Sequence, residues 1–194
     1  AMPHETRDPI VAAAAMITEL QHVVARTVDP REGAVVTVGY IQAGDTHNVI
    51  PSEARFGGTL RAFAPEIRAL LRQEVARVIQ GVALAHDVQV DVAITPHVEP
   101  VVNDAQVTRD VAAIAQRMPD LVVVETGRGL LASEDFGEFL ARVPGCFAFV
   151  GAGNPACGAT WPHHHPMFEI DEASLVHAAG LHCAVALDLT SLGA

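Results

Sequence analysis

Apolar positions along the chain follow two different rhythms, one in each half. From Asp8 to Thr27, "DPIVAAAAMITELQHVVART" sets Ile10, Ala13, Ala14, Ile17, Leu20 and Val24 at the spacing of one helical face. Asp8-Pro9 reads as its start, with Asp capping free amides and proline filling the first helical position. Asp29-Pro30 and Gly33 end it. The run "AVVTVGYIQAG", Ala34 to Gly44, is β-rich, "DTHNVIPSE" is a loop, and "ARFGGTLRAF", Ala54 to Phe63, alternates. A hairpin-like pair is predicted. Pro65 opens a second helix with Ile67, Leu70, Leu71, Val75, Val78, Ile79 and Val82 on one face and Gly81 near its end. "HDVQVDVAITP" alternates again, with Val88, Val90, Val92 and Ile94 on one side. Residues 8–97 therefore read α-β-β-α-β. One further strand in front would complete a split βαβ, ferredoxin-like unit, and that strand is expected upstream.

Beyond "PHVEPVVND" the rhythm changes. "AQVTRDVAAIAQRM" is a helix, "LVVVET" an apolar run of the kind that forms a buried strand, and "SEDFGEFLARV" a helix. Ser133 caps that helix, and Glu134 and Asp135 lie in its first turn, where the helix dipole favours negative charge. "GCFAFVGAG" is a second buried strand, and "DEASLVHAAGLHCAVALDL" a final amphipathic helix from Asp171 to about Leu189. Strands alternating with helices are the style of a mostly parallel sheet. About two strands cannot close such a sheet alone, since open sheets usually hold roughly four to six.

Composition narrows the function classes. Half of the 194 residues are hydrophobic and 18% are charged, which is globular rather than disordered. Aromatics are 5%, so the core is aliphatic. With 12 Lys+Arg against 23 Asp+Glu, the net charge of -11 argues against nucleic acid and anionic membranes. It leaves room for a small anion, for which one arginine suffices. The strand "VVTVGYIQAG" also lacks the aromatic pair that stacking on bases requires. Cys146, Cys157 and Cys183 match no zinc spacing and are expected as reduced, partly buried thiols of a cytoplasmic protein. No apolar stretch is long enough to span a membrane, and the first ten residues do not read as a signal peptide.

Candidate chemistry is thinly spread. In "TWPHHHPMFEID", Thr160 to Asp171, a histidine triplet precedes proline. Histidine is the commonest metal ligand, yet adjacent side chains of an extended loop diverge, so one or two of the three at most share a site. A solvated loop is the competing reading; an affinity tag is not, since the triplet is internal. Partners for a metal would have to come through the fold, from Glu125, Glu134 or Asp135. In "AGDTHNVIPSEARFGGTLRAF", Asn48 can donate and accept, and Arg61 carries the planar fork that suits a carboxylate. The structural readings stand beside these: an Asn in a tight loop usually satisfies backbone, and an Arg on a strand usually faces solvent.

"AMPHETRDPI", "HNVIPSEARFGGTLRAF", "VVND", "SEDFGEFL" and "HHPMFEIDE" occur in this order across nearly the whole chain. Together they resemble the amidohydrolase branch of the dinuclear-metal aminoacylase/carboxypeptidase superfamily, which includes hippurate hydrolases, N-acyl-amino-acid amidohydrolases and auxin-conjugate hydrolases. The resemblance implies an α/β fold. A ferredoxin-like lid or dimerisation domain, residues 1–98, would precede the C-terminal part of an α/β metallopeptidase catalytic domain, residues 99–194. It further implies that His164 ligates a metal, with His163 and His165 as neighbours. Asn48 and Arg61 would engage the substrate's carboxylate end, and Glu134 and Asp135 would support the site. His4 follows the place of a carbonyl-polarising family histidine and is not that residue.

The departures are as informative. The family's Cys-Gly-His-Asp-Gly-His ligand segment and its Glu-Glu general base are both missing from the sequence. A metal-activated water needs about three protein ligands and a base within reach. The expectation is therefore one part of an amidohydrolase that cleaves N-acyl amino acids, such as hippurate-like substrates. The whole enzyme would use two divalent ions (zinc, manganese, cobalt or nickel) and would dimerise through the lid; this chain alone is expected to be inactive and to hold no metal tightly. The alternative is a non-catalytic ferredoxin-like dimerisation or binding module.

Overall fold

Asp8 caps the first helix with its own carboxylate. Its Oδ1 accepts from the amides of Ile10 at 2.9 Å and Val11 at 3.3 Å, and Pro9 occupies the first helical position. This helix, α1, runs Pro9–Thr27. The structure, a computed structural model, describes residues 2–95, 98–125, 127, 129–132 and 134–191, with the side chains of residues 189–191 excepted. It divides into two compact units, Ala1–His97 with Leu130–Ala132, and Val98–Gly129 with Ser133–Ala194.

In the first unit α1 is followed by the antiparallel strands β1 (Ala34–Ala43) and β2 (Ala54–Ala62), then by α2 (Pro65–Ala85). The hairpin pairs Ala34 with Ala62 and Ala43 with Ala54. Its register slips once: Val38 pairs with Gly58 and Tyr40 with Gly57, so Gly39 is a bulge residue. The double glycine of "FGGT" belongs to this bulge. A Cβ on Gly58 would lie 1.8 Å from the Thr37 carbonyl oxygen, and one on Gly57 would lie 2.6 Å from the Tyr40 ring. Both helices pack on one sheet face. Met16, Leu20, Val23, Leu71, Val75, Val78, Ile79 and Ala83 form the core with Val36, Val38, Phe56 and Leu60 of the strands. Each Leu, Ile, Val, Phe or Met side chain contributes roughly 1.5–3 kcal/mol when fully buried.

The α2 face is the one predicted. The α1 face is turned by about one residue: Ala12, Ala13, Met16, Leu20 and Val23 are buried, while Ile10 and Ala14 are exposed. Four consecutive alanines leave the apolar stripe ambiguous, and the position of the sheet decides it. Residues 88–95 do not form the predicted third strand, so the sheet has two strands among the described residues. Val88, Val92 and Ile94 still pack on the core, whereas Val90 is exposed. Alternation reports which side chains seek burial; it does not supply a ladder partner.

The second unit holds α3 (Ala105–Gln116), a single-turn α4 (Gly137–Leu140) and α5 (Ala173–Ser191). Asp104 caps α3 by accepting from Gln106 N and Val107 N at 2.9 Å each. Arg117 Nη2 reaches Asp188 of α5 at 2.9 Å. The two buried strands expected here do not form among the described residues. Residues 121–125 and 146–150 carry no ladder, and Val122, Val124 and Phe149 are 86%, 74% and 69% exposed. A lone extended segment has no hydrogen-bonding neighbour and hence no sheet to bury it. The helix expected over "SEDFGEFLARV" shrinks to one turn, because short helices are marginal without tertiary support. Its expected Ser133 cap lies outside the described residues. Cys146 is half-buried as expected, but Cys157 and Cys183 are exposed thiols. Among the described residues no helix is long and apolar enough to cross a membrane.

Candidate functional site

The histidine triplet sits on a closed loop rather than a free one. Asn154-Pro155 starts a turn in which Asn154 accepts from Ala156 N at 3.0 Å and pairs backbone to backbone with Ala159. Asn154 Nδ2 then donates to Asp171 Oδ2 at 2.7 Å, and Asp171 N donates to Ala152 O at 2.8 Å. The other Asp171 oxygen accepts from Ala173 N at 3.0 Å, at the start of α5. One carboxylate thus seals the neck of the loop and caps the helix that follows. The Asn154 hydrogen bond, with that of the Ala173 amide, holds the Asp171 carboxyl below its ordinary range; slight burial opposes this and His177 adds to it.

Within the loop the three histidines have separate fates. His165 stacks on Trp161, with ring centroids 4.0 Å apart and planes 7° from parallel. Its Nδ1 accepts from Met167 N at 3.0 Å, which places the ring proton on Nε2 in the neutral form. One of its two ring nitrogens is thus engaged by the backbone. His163 meets Phe168 edge to face at 4.8 Å. His164 is exposed, its backbone is left-handed with φ of +68°, and its ring makes no hydrogen bond among the described residues. Left-handed backbone at a side chain other than glycine is unusual and concentrates at functional positions.

The remaining second-unit candidates do not close around a metal. Glu134 is half-buried and Asp135 exposed, and the Asp135 carbonyl accepts from Glu138 N at 2.9 Å as α4 begins. Glu125 is exposed. Among the described residues no three His, Cys, Asp or Glu side chains are grouped so as to hold a metal ion. They do not fit a dinuclear centre by themselves. The "VVND" motif is structural here. Asn103 grips Phe147 at both ends of its backbone, donating to the carbonyl at 2.9 Å and accepting from the amide at 2.8 Å. Phe147 anchors a row of rings with Phe136 at 5.6 Å and Phe149 at 5.2 Å.

In the first unit, Asn48 is exposed in the loop between β1 and β2, its Oδ1 accepting from Thr46 Oγ1 at 2.9 Å. Arg61 lies on β2 opposite Val35 and is half-buried. Its Nη1 donates to the carbonyl of Leu131 at 3.1 Å.

The order of these motifs is a family's. The sequence profile of peptidase family M20/M25/M40 matches residues 5–188. The chain belongs to this family. It is 37% identical over 177 residues to an N-acetyldiaminopimelate deacetylase of Lacticaseibacillus casei, covering 91% of this chain and 45% of that protein. It is 34% identical over 190 residues to the IAA-amino acid hydrolase ILR1-like 4 of Arabidopsis thaliana, covering 96% of this chain and 43% of that one. The crystal structure of the Bacillus subtilis YxeP protein, a dinuclear metal binding peptidase of the M20 family, superposes with a TM-score of 0.72 at 29% identity. That match covers 96% of this chain and 47% of the other. The mixed α/β architecture expected from the sequence is thus the architecture of M20 peptidases. The chain spans about half the length of the curated relatives it matches.

Trp161, Asn154 and Leu131 are not singled out by the sequence, and Asp171 only as the start of the last helix. An Asn-Pro turn and an Asp just ahead of a helix are readable signals for two of them. Nothing in the sequence marks Leu131.

Proposed function

We propose that this M20-family chain is part of a metal-dependent amidohydrolase acting on N-acyl amino acids. The observation that carries the reading is the family match over residues 5–188, with amide-hydrolysing relatives aligned along almost the entire chain. Residues 1–98 are read as the lid and dimerisation part and residues 99–194 as catalytic-domain sequence. His164, exposed on a loop tied at its neck, is the metal-ligand candidate. Arg61 and Asn48 are the candidates for the substrate's carboxylate end, because a guanidinium binds a carboxylate with two parallel hydrogen bonds and an amide adds a neutral donor. Glu134 and Asp135 are read as supporting residues. When bound, a pair of divalent ions would supply an activated water. This chain's own share is read as binding and orientation, since its sequence has no Glu-Glu base.

The test is hydrolysis of N-acetyl- and N-benzoyl-amino acids by the parent polypeptide with zinc, manganese, cobalt or nickel added in turn. Metal-dependent release of free amino acid is expected, with none from the 194-residue chain alone. No release with any metal overturns the reading. A homodimer through the first unit is part of the proposal. β1 has one edge without a ladder partner among the described residues, and Tyr40 and Ile41 on it are 57% and 49% exposed, so a second copy would find a strand edge with apolar flanks. Sedimentation of the chain as a monomer at all concentrations would remove that part.

A further inference from the structure

Arg61 and Leu131 are 70 positions apart in sequence, yet the short segment Leu130–Ala132 belongs to the first compact unit. A hydrogen bond and an apolar neighbour tie it there. The Leu131 carbonyl accepts from Arg61 Nη1 at 3.1 Å in a part-buried hydrogen bond. The Leu131 side chain lies beside Gly33, its Cδ1 being 3.8 Å from where a Cβ on Gly33 would stand. Leu131 is the half-buried member of the segment, while Leu130 and Ala132 are exposed. The contact uses one Nη1 donor. Arg61 Nε and Nη2 have no partner among the described residues, and these two donors form the edge that takes a carboxylate with two parallel bonds.

We propose that Leu131 is a positioning residue for carboxylate recognition. Its carbonyl fixes the plane of the Arg61 guanidinium, so that the Nε–Nη2 edge stays open and aimed; its side chain, seated against Gly33, fixes the carbonyl. The inference rests on the reading of Arg61 as a carboxylate binder. A long arginine held in one orientation loses less freedom on binding than a free one, and the difference appears as affinity.

The experiment is a titration of the 194-residue chain, labelled with ¹⁵N-arginine and carbonyl-¹³C-leucine, with sodium N-acetylglycinate and separately with acetate. Either anion should move the Arg61 Nε signal saturably while the Leu131 carbonyl signal keeps its position. Leu131→Ala should weaken the Kd about tenfold, equivalent to one lost orienting contact, and Leu131→Met should restore it. Unchanged amide spectra elsewhere exclude a general loss of fold. Binding by Leu131→Ala equal to wild type overturns the proposal. So does a Leu131 signal that moves with ligand, because the carbonyl is then a competitor and not an orienter. An Arg61 signal silent to both anions overturns it too. If the parent polypeptide nonetheless hydrolyses N-acyl amino acids, only this inference falls. If Arg61 responds but no substrate is cleaved, the inference stands and the hydrolase reading falls.

Discussion

Asn154 and Asp171 stand 17 residues apart and are joined by a 2.7 Å hydrogen bond that closes the loop bearing His164. The same carboxylate caps α5 through Ala173 N. Loop closure and helix start therefore depend on one ionised group. Because hydrogen bonds lower its folded-state pKa, its contribution is present above the ordinary value of 3.8 and is lost as pH falls below that through the lower folded value. Urea midpoints of wild type and Asp171→Ala should differ by a constant amount at neutral pH and converge below pH 3.8. A gap that persists in strong acid would show that Asp171 acts by packing and not by charge.

Trp161 is the chain's one tryptophan, so its fluorescence reports the stack on His165. His165→Ala should alter both the intensity and the emission maximum. His164→Ala should leave both unchanged, since among the described residues His164 has no ring contact with Trp161. In the parent polypeptide, His164→Ala should lower metal-dependent hydrolysis by more than the roughly 10–100-fold typical of losing a residue that only orients a ligand. Equal activity losses for the two variants would dissolve the distinction between ligand and neighbour.

Two glycines should respond to alanine with opposite signs. At Gly58 the added Cβ meets the Thr37 carbonyl oxygen at 1.8 Å, and the strands must part. Gly58→Ala should cost more than about 2 kcal/mol or prevent folding. At Gly81 the Cβ meets nothing within 4 Å, and the residue lies inside α2. Gly81→Ala should stabilise by about 0.5–1 kcal/mol, the helix-interior penalty of glycine. Urea denaturation measures both.

Burial separates two apolar positions that look alike in sequence. Leu71 is 0% exposed, and Leu71→Ala should cost about 2–5 kcal/mol through lost transfer energy and a cavity. Val122 is 86% exposed, and Val122→Thr should change the stability of this chain by no more than about 0.5 kcal/mol. A large loss at Val122 would mean that residues 121–125 are buried after all.

Helix α2 was readable because its apolar residues recur strictly at helical spacing and Pro65 marks its start. Helix α1 was readable in extent, through Asp8 and Pro9, but not in rotation. The strand signals at 88–94, 121–125 and 146–150 were misleading for a common reason. They register a demand for burial, and a strand exists only where a neighbour completes its hydrogen bonds. The family resemblance singled out His164, Asn48 and Arg61. The separate states of His163, His164 and His165 were out of reach, because three identical residues in a row carry no periodic information.

By itself the sequence determined the family, the helix caps, the hairpin and the need for glycine around the bulge, since each is written in short-range residue chemistry. Only the tertiary structure decided which histidine stays free and which apolar runs lie in solvent. It also brought the Leu131 carbonyl to Arg61 across 70 positions. Such contacts depend on where distant segments meet in space, and neither local propensity nor spacing along the chain encodes that meeting.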